Sequence, residues 1–297
     1  MIPVPNEKQV WLVLSGSGMK LYAFLGALKA LVEHGYRFTG ATGTSGGAVV
    51  AAMLGKVWDP TKPTESVNEL IRLAGKFRLL SYLTVRWQFW EWTLTKVFRR
   101  GPKGVFKTTK MLKLFRELMP PTIGDAQLPL RITATQVNLQ TTHPVLFTAS
   151  DIDLPLAVLA SMTLPAPIFD PTMWGKAMLQ DGGWLANLSI PKDQKRVVAL
   201  YFGEISLVAL AAPIEGAELV PVKDNIDLLL RNVLGTIDGN MRRSIEDAEE
   251  EGVELLRLAL KTDLEGGDFF ASSEAIQGAI QDGYDSATRS LNNGTSW

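Results

Sequence analysis

Cysteine is missing altogether from these 297 residues, and histidine occurs only twice. The first absence excludes disulfides, thiolate zinc sites and cysteine nucleophiles, and it suits a reducing compartment. The second leaves few candidates for the histidine base of a serine triad. A dominant sign of charge is missing too: 30 Lys and Arg against 31 Asp and Glu leave a formal net charge of −1, which argues against a general nucleic-acid binder. There is no uninterrupted apolar run of membrane-spanning length. The longest apolar stretch, Val197 to Ile214, is broken by Glu204 and Pro213 and reads as two buried strands, Val197–Phe202 and Leu207–Ala211. The first residues, MIPVPNEKQV, carry neither the basic nor the apolar region of a signal peptide, so a cytoplasmic chain without signal peptide or transmembrane helix is expected.

What is present is enough apolar material, 46% of residues, for one large α/β domain across 1–297. Two short apolar runs near the start, Val10–Leu14 and Phe38–Gly43, each end in a glycine cluster and lead into a segment of helical periodicity. That is the pattern of two successive strand-turn-helix units. The second turn reads Gly43-Thr44-Ser45-Gly46-Gly47, a G-x-S-x-G sequence placed where a nucleophile elbow has to stand. The first, Ser15-Gly16-Ser17-Gly18-Met19-Lys20, fails the dinucleotide fingerprint because Leu21 replaces the last glycine, and it lacks the nucleotide triphosphate loop pattern. Beside an elbow, it reads as an oxyanion hole made of converging backbone amides; alone, a tight turn explains it as well.

Ser45 needs a proton acceptor. His34 stands at the end of the first helix, where a cation complements the dipole, and His143 precedes Pro144 in an expected hairpin turn. Neither is in a glycine-rich turn. Asp181 is: it closes the short apolar run Met178-Leu179-Gln180 and is followed by Gly182 and Gly183. Burial would raise its pKa toward that of a usable base, giving a Ser-Asp dyad, although Asp-Gly-Gly by itself is also a common turn.

Elsewhere, helices are expected at Glu65–Leu80, Thr109–Met119, Leu154–Met162, Asn225 to about Lys261 and Ser273–Leu291, and strands at Leu130–Val137 and Pro144–Thr148. The acidic run Glu246–Glu254 reads as a solvated helix face. From Arg86 to Arg116 nine Lys/Arg face Glu91 alone, interleaved with aromatics. Drawn as a helix, Phe89 and Trp92 fall among Lys96, Arg99 and Arg100, apart from a stripe of Leu83, Trp87 and Trp90. Such a face suits the interface of an anionic bilayer, and packing within a cap is the competing explanation.

The ordered set Gly16-Ser17-Gly18-Met19-Lys20, Gly43-Thr44-Ser45-Gly46-Gly47 and Asp181-Gly182-Gly183 resembles the patatin-like phospholipases. The likeness continues through Leu130–Thr135, Ala160-Ser161 and Gly283–Ala287. It implies a three-layer α/β/α fold with a mostly parallel central sheet and a helical basic-aromatic cap. Core motifs would span 9–55 and 125–212, the cap about 65–120, and the C-terminal helices about 225–291. Ser45 becomes the nucleophile and Asp181 the base; Gly16, Ser17, Gly18, Met19, Lys20 and Gly46 border the oxyanion and substrate site. Gly43, Gly47, Gly182 and Gly183 complete the motifs. The resemblance implies no metal and no cofactor. It makes the expected function a phospholipase A or lysophospholipase working on membrane phospholipid from a peripheral position, with oligomeric state undetermined. A binding module without catalysis and an acyltransferase using the same dyad share these motifs. Two positions depart from the family pattern: Ser17 replaces the middle glycine of the loop, which is costly if that position needs a positive φ, and Ser189 replaces a proline.

Overall fold

The computed structural model describes residues 8–77, 84–85, 106–137, 142–164, 169–203, 239–265 and 271–293. The first strand, β1 (Gln9–Leu14), leads through the glycine loop and a single 3-10 turn (Gly18–Lys20) into α1 (Leu21–Glu33). Then come β2 (Arg37–Thr44), α2 (Gly46–Val57) and α3 (Pro63–Ala74). A two-residue antiparallel pair, β3 (Thr84–Val85) with β4 (Phe106–Lys107), stands apart from the main sheet. The chain continues with α4 (Thr109–Leu118), β5 (Leu130–Val137), β6 (Thr142–Phe147), α5 (Leu154–Met162), β7 (Thr172–Trp174) and β8 (Ala177–Asp181). The short α6 (Gly183–Ala186), β9 (Arg196–Phe202), a helix over 239–250 (α7), β10 (Glu254–Leu260) and α8 (Ser273–Asn292) complete it.

The sheet order is β10-β9-β1-β2-β5-β8-β7, with β6 paired to β5. The pairs β10/β9, β9/β1, β1/β2 and β2/β5 are parallel; those of β5 with β6, β5 with β8 and β7 with β8 are antiparallel. Strands buried on both faces need no alternation, which is why Trp11-Leu12-Val13-Leu14 and Val197–Tyr201 read as continuous apolar runs. Successive residues still point to opposite faces. Leu12 and Leu14 join the large core formed with α1, α2 and α5, while Trp11 and Val13 join a second core with Met241, Ile245 and Ala248 of α7. Helices on both faces of a mostly parallel sheet make the three layers expected.

One expected element is corrected. The helix drawn from Asn225 to Lys261 is helical over 239–250 within the described residues, and Glu254–Leu260 is a strand. Gly252 ends the helix in the left-handed region at φ +79°, and Leu256, Leu258 and Leu260 are then buried at a period of two against β9. The acidic run therefore ends at the sheet edge, where Arg196 of β9 pairs with Glu254. His143 is also displaced from its expected turn: it lies on β6, opposite Gln136, and is exposed.

At the ends of the stretch expected as a cap, α3 buries Val67, Leu70 and Leu73, and α4 buries Met111, Leu114, Phe115 and Leu118, all in the main core. Phe89, Trp92, Lys96, Arg99 and Arg100 lie outside the described residues, as does the expected strand Leu207–Ala211.

Candidate active site

Two strands carry Ser45 and Asp181 to one place, and β5 decides where. Along one stretch of β5, β2 runs parallel and its last residue, Thr44, sits opposite Thr133. Along the next stretch β8 runs antiparallel, and its last residue, Asp181, sits opposite Ala134. The C-terminal ends of β2 and β8 thus meet head to head at consecutive positions of a shared neighbour. Ser45 follows Thr44 directly, and its Oγ donates a 2.6 Å hydrogen bond to Asp181 Oδ2.

Ser45 has φ +52° and ψ −122°, and among the described residues it is the one non-glycine with a positive φ. A side chain held there is strained, and strain of this kind persists only where its surroundings over-determine it. The glycines of the motif supply those surroundings. A Cβ on Gly43 would come within 2.5 Å of the Gly47 carbonyl, and one on Gly47 within 2.5 Å of the Ser15 carbonyl. Strand, elbow and helix therefore pack backbone to backbone. Ser45 is the N-terminal cap residue of α2, so the unpaired amides and positive dipole end of that buried helix adjoin it.

Asp181 is 4% exposed and Ser45 9%. Burial pushes the Asp181 carboxyl up to about 6, against the opposing pull of hydrogen bonds from the Ser45 hydroxyl and the Gly183 amide. The Gly183 amide holds Oδ1 at 2.7 Å, leaving Oδ2 to the serine. A Cβ on Gly182 would strike the Thr133 carbonyl, so the turn after the aspartate closes as tightly as the elbow.

The glycine loop lies against this pair. The Gly16 amide is spent on the Asn187 carbonyl at 3.1 Å, whereas the amides of Ser17 and Gly18 bond to no other described residue. Gly46 borders them: a Cβ there would come within 3.1 Å of the Gly18 nitrogen. Ser17 has φ −145° and Gly18 φ +54°. The steric penalty expected for Ser17 is therefore absent, because the left-handed position belongs to Gly18.

Met19 is buried in the core, and Lys20 turns to Glu265 at 3.7 Å and over the ring of Phe202. His34 bonds the Ala30 carbonyl and Asn292, and neither histidine hydrogen-bonds Ser45 or Asp181. Two further polar residues at the site matched the family resemblance but were assigned no role from the sequence. Asn187 fills the gap between Gly16 and Gly183 and donates its side-chain amide to Met241 Sδ at 3.0 Å. Ser161, at the end of α5, accepts the Ser45 amide at 2.8 Å. An open cavity of about 690 Å³, lined in part by Trp11, Gln127 and Arg131, lies at the other end of the strands, away from the dyad.

This geometry meets an independent match: the family model described as patatin-like phospholipase covers residues 12–191, from β1 past Asp181. The chain belongs to the patatin-like phospholipase family. Among its relatives is an uncharacterized NTE family protein of Mycobacterium bovis, 25% identical over 257 residues that take in 82% of this chain and 61% of that protein. Another is lysophospholipase NTE1 of Eremothecium gossypii, 30% identical over 194 residues, 64% of this chain and 11% of that protein. The patatin-like chain thus spans about three fifths of the mycobacterial relative's length. VipD of Legionella pneumophila superimposes with a TM-score of 0.49 at 16% identity, covering 96% of this chain and 67% of that one.

Proposed function

We propose that this patatin-like protein is a serine lipid acyl hydrolase, of phospholipase A or lysophospholipase type, working through an acyl-Ser45 intermediate. The observation that carries the reading is the 2.6 Å bond from Ser45 Oγ to a buried Asp181 carboxylate, made from a strained elbow. An alcohol is a poor acid in water. Here the gap to the carboxylate narrows, because burial raises Asp181, and the proton moves only as the oxygen attacks.

Ser45 Oγ attacks the ester carbonyl carbon and passes its proton to Asp181 Oδ2. The carbonyl electron pair moves to oxygen, where the amides of Ser17 and Gly18, with Gly46 beside them, hold the charge. Collapse breaks the bond to the alcohol oxygen, which takes the proton from Asp181. Water then loses a proton to Asp181, attacks the acyl carbon, and releases the fatty acid as Ser45 recovers its proton. No metal enters this scheme, and EDTA is expected to leave the rate unchanged. The name of the fungal relative favours a lysophospholipid substrate, and the basic, aromatic sequence from Arg86 to Arg116 favours approach to an anionic lipid surface.

The test is fatty-acid release from mixed anionic phospholipid and lysophospholipid vesicles, with fluorophosphonate labelling in parallel. Wild type is expected to release fatty acid and to label, and Ser45→Ala to do neither. Asp181→Asn is expected to lose turnover by a factor of at least ~10³. Vesicle binding by an unlabelled, inactive wild type would replace this reading with that of a lipid-binding module.

A further inference from the structure

The last turn of α5 touches both halves of the dyad. The Thr163 carbonyl accepts the Asp181 amide at 2.8 Å, and the Ser161 carbonyl accepts the Gly182 amide at 3.1 Å. Any residue at 161 or 163 would supply those carbonyls. The third contact differs in kind, because it is made by a side chain: the Ser161 hydroxyl accepts the Ser45 amide at 2.8 Å and donates to the Thr133 carbonyl at 2.6 Å.

The roles of the three atoms are fixed. An amide can only donate and a carbonyl can only accept, so the single proton of the fully buried hydroxyl points to Thr133 and a lone pair to Ser45. The ladder between β2 and β5 ends at Thr44 opposite Thr133, and the elbow turns the next amide away from it. The hydroxyl of Ser161 thus stands in for the missing strand partner and is itself anchored on Thr133, the residue at which that ladder stops. A buried amide with no acceptor would be costly, and rotating φ toward a relaxed value would be its escape.

We propose that Ser161 is the positioning residue of the dyad, holding the backbone of Ser45 in its strained conformation and so fixing the distance between the nucleophile and Asp181. This rests on the dyad reading above. Ser161 is not placed to take part in proton transfer, since its proton is committed to the Thr133 carbonyl. It acts through Ser45.

The test compares Ser161→Ala, Ser161→Cys and Ser161→Thr with wild type, using vesicle hydrolysis, the rate of fluorophosphonate inactivation, melting temperature and the crystal structure of each folded variant. An oxygen displaced by about 1 Å is expected to lower kcat and the inactivation rate by about 10²-fold, with KM within about twofold. Cysteine fills the same space but accepts poorly, so it should follow alanine; threonine keeps the hydroxyl and should stay within about tenfold of wild type. In the crystal, Ser45 Oγ and Asp181 Oδ2 should part in the alanine and cysteine variants. A variant that melts earlier but keeps both kcat and the 2.6 Å separation would overturn the proposal, leaving Ser161 a merely structural residue. If wild type and Ser45→Ala are equally inactive, the hydrolase reading falls, while the separation in the Ser161→Ala crystal still decides the positioning role.

Discussion

The hydroxyl of Thr44 donates a 3.1 Å hydrogen bond to the carbonyl of Ala186. The residue before Ser45 is thereby fastened to the short helix that follows Asp181. Thr44→Val keeps the shape and removes the donor, leaving a carbonyl unpaired in a largely buried place. A loss of about 1 kcal/mol in urea unfolding is expected, with turnover falling more than stability alone explains. Unchanged urea midpoints and unchanged kcat would show that the two segments are held without this bond.

Strain at Ser45 separates two substitutions that both remove the hydroxyl. Alanine keeps a Cβ at φ +52°, whereas glycine accepts that conformation freely. Ser45→Gly should therefore be more stable than Ser45→Ala by about 1 to 2 kcal/mol, beyond what the added freedom of an unfolded glycine takes back. Calorimetry of the two variants side by side decides it.

Asp181 links activity and stability to pH with opposite signs. Its folded pKa is raised to about 6 from 3.8, so the folded state binds the proton more tightly than the unfolded chain does. Ionising it costs stability: the penalty is absent below pH 3.8, grows as pH rises through the window up to about 6, and is complete above. By the same pKa, kcat/KM should fall tenfold per unit below about 6, where the base is lost. Asp181→Asn should then be more stable than wild type at pH 8 by a few kcal/mol at most, roughly the free energy of that shift. The advantage should vanish by pH 4. A difference that does not change with pH would mean the carboxyl is not the titrating group.

The Gly16–Gly18 loop, proposed to hold the oxyanion, makes a paired prediction. Ser17 already has an ordinary backbone conformation, so Ser17→Gly should change kcat by less than about threefold. Gly18, at φ +54°, has no such latitude. Gly18→Ala should cost about 1 kcal/mol of stability and a larger factor in kcat, as the amide turns from the oxyanion. If Ser17→Gly instead raises kcat by an order of magnitude, the serine is the handicap its departure from the family pattern suggested.

How much of this was legible beforehand follows the kind of signal each element leaves. The elbow and the turn after Asp181 were readable because backbone-to-backbone packing admits nothing larger than glycine at Gly43, Gly47 and Gly182, and glycines are visible in a sequence. The strands flanking them were readable as apolar runs. β10 was not, because Glu254 and Arg257 lie on it beside an acidic helix, and only Gly252 marked the change of period. The Gly16 amide was expected to be a free donor, yet the backbone carbonyl of Asn187 takes it, and a backbone acceptor leaves no trace in composition. Ser161 was visible as part of the family likeness but its role was not: a lone serine at the end of the apolar helix Leu154–Met162 looks the same whether it caps, fills space or holds its neighbour's backbone.

The meeting of β2 and β8 along β5 makes the coarse alignment of Ser45 with Asp181 a counted quantity. Strand pairing slips only by whole residues; a slip of one would send the Asp181 side chain to the other face, and a slip of two would move it by about 7 Å. Nothing lies between. Substitutions that leave the register intact can move the pair only through local adjustments of the kind argued for Thr44 and Ser161, whereas a single residue inserted between Thr133 and Ala134 would part Ser45 from Asp181 while leaving both in the sequence. In this architecture the coarse alignment of the two residues is most vulnerable to indels within β5.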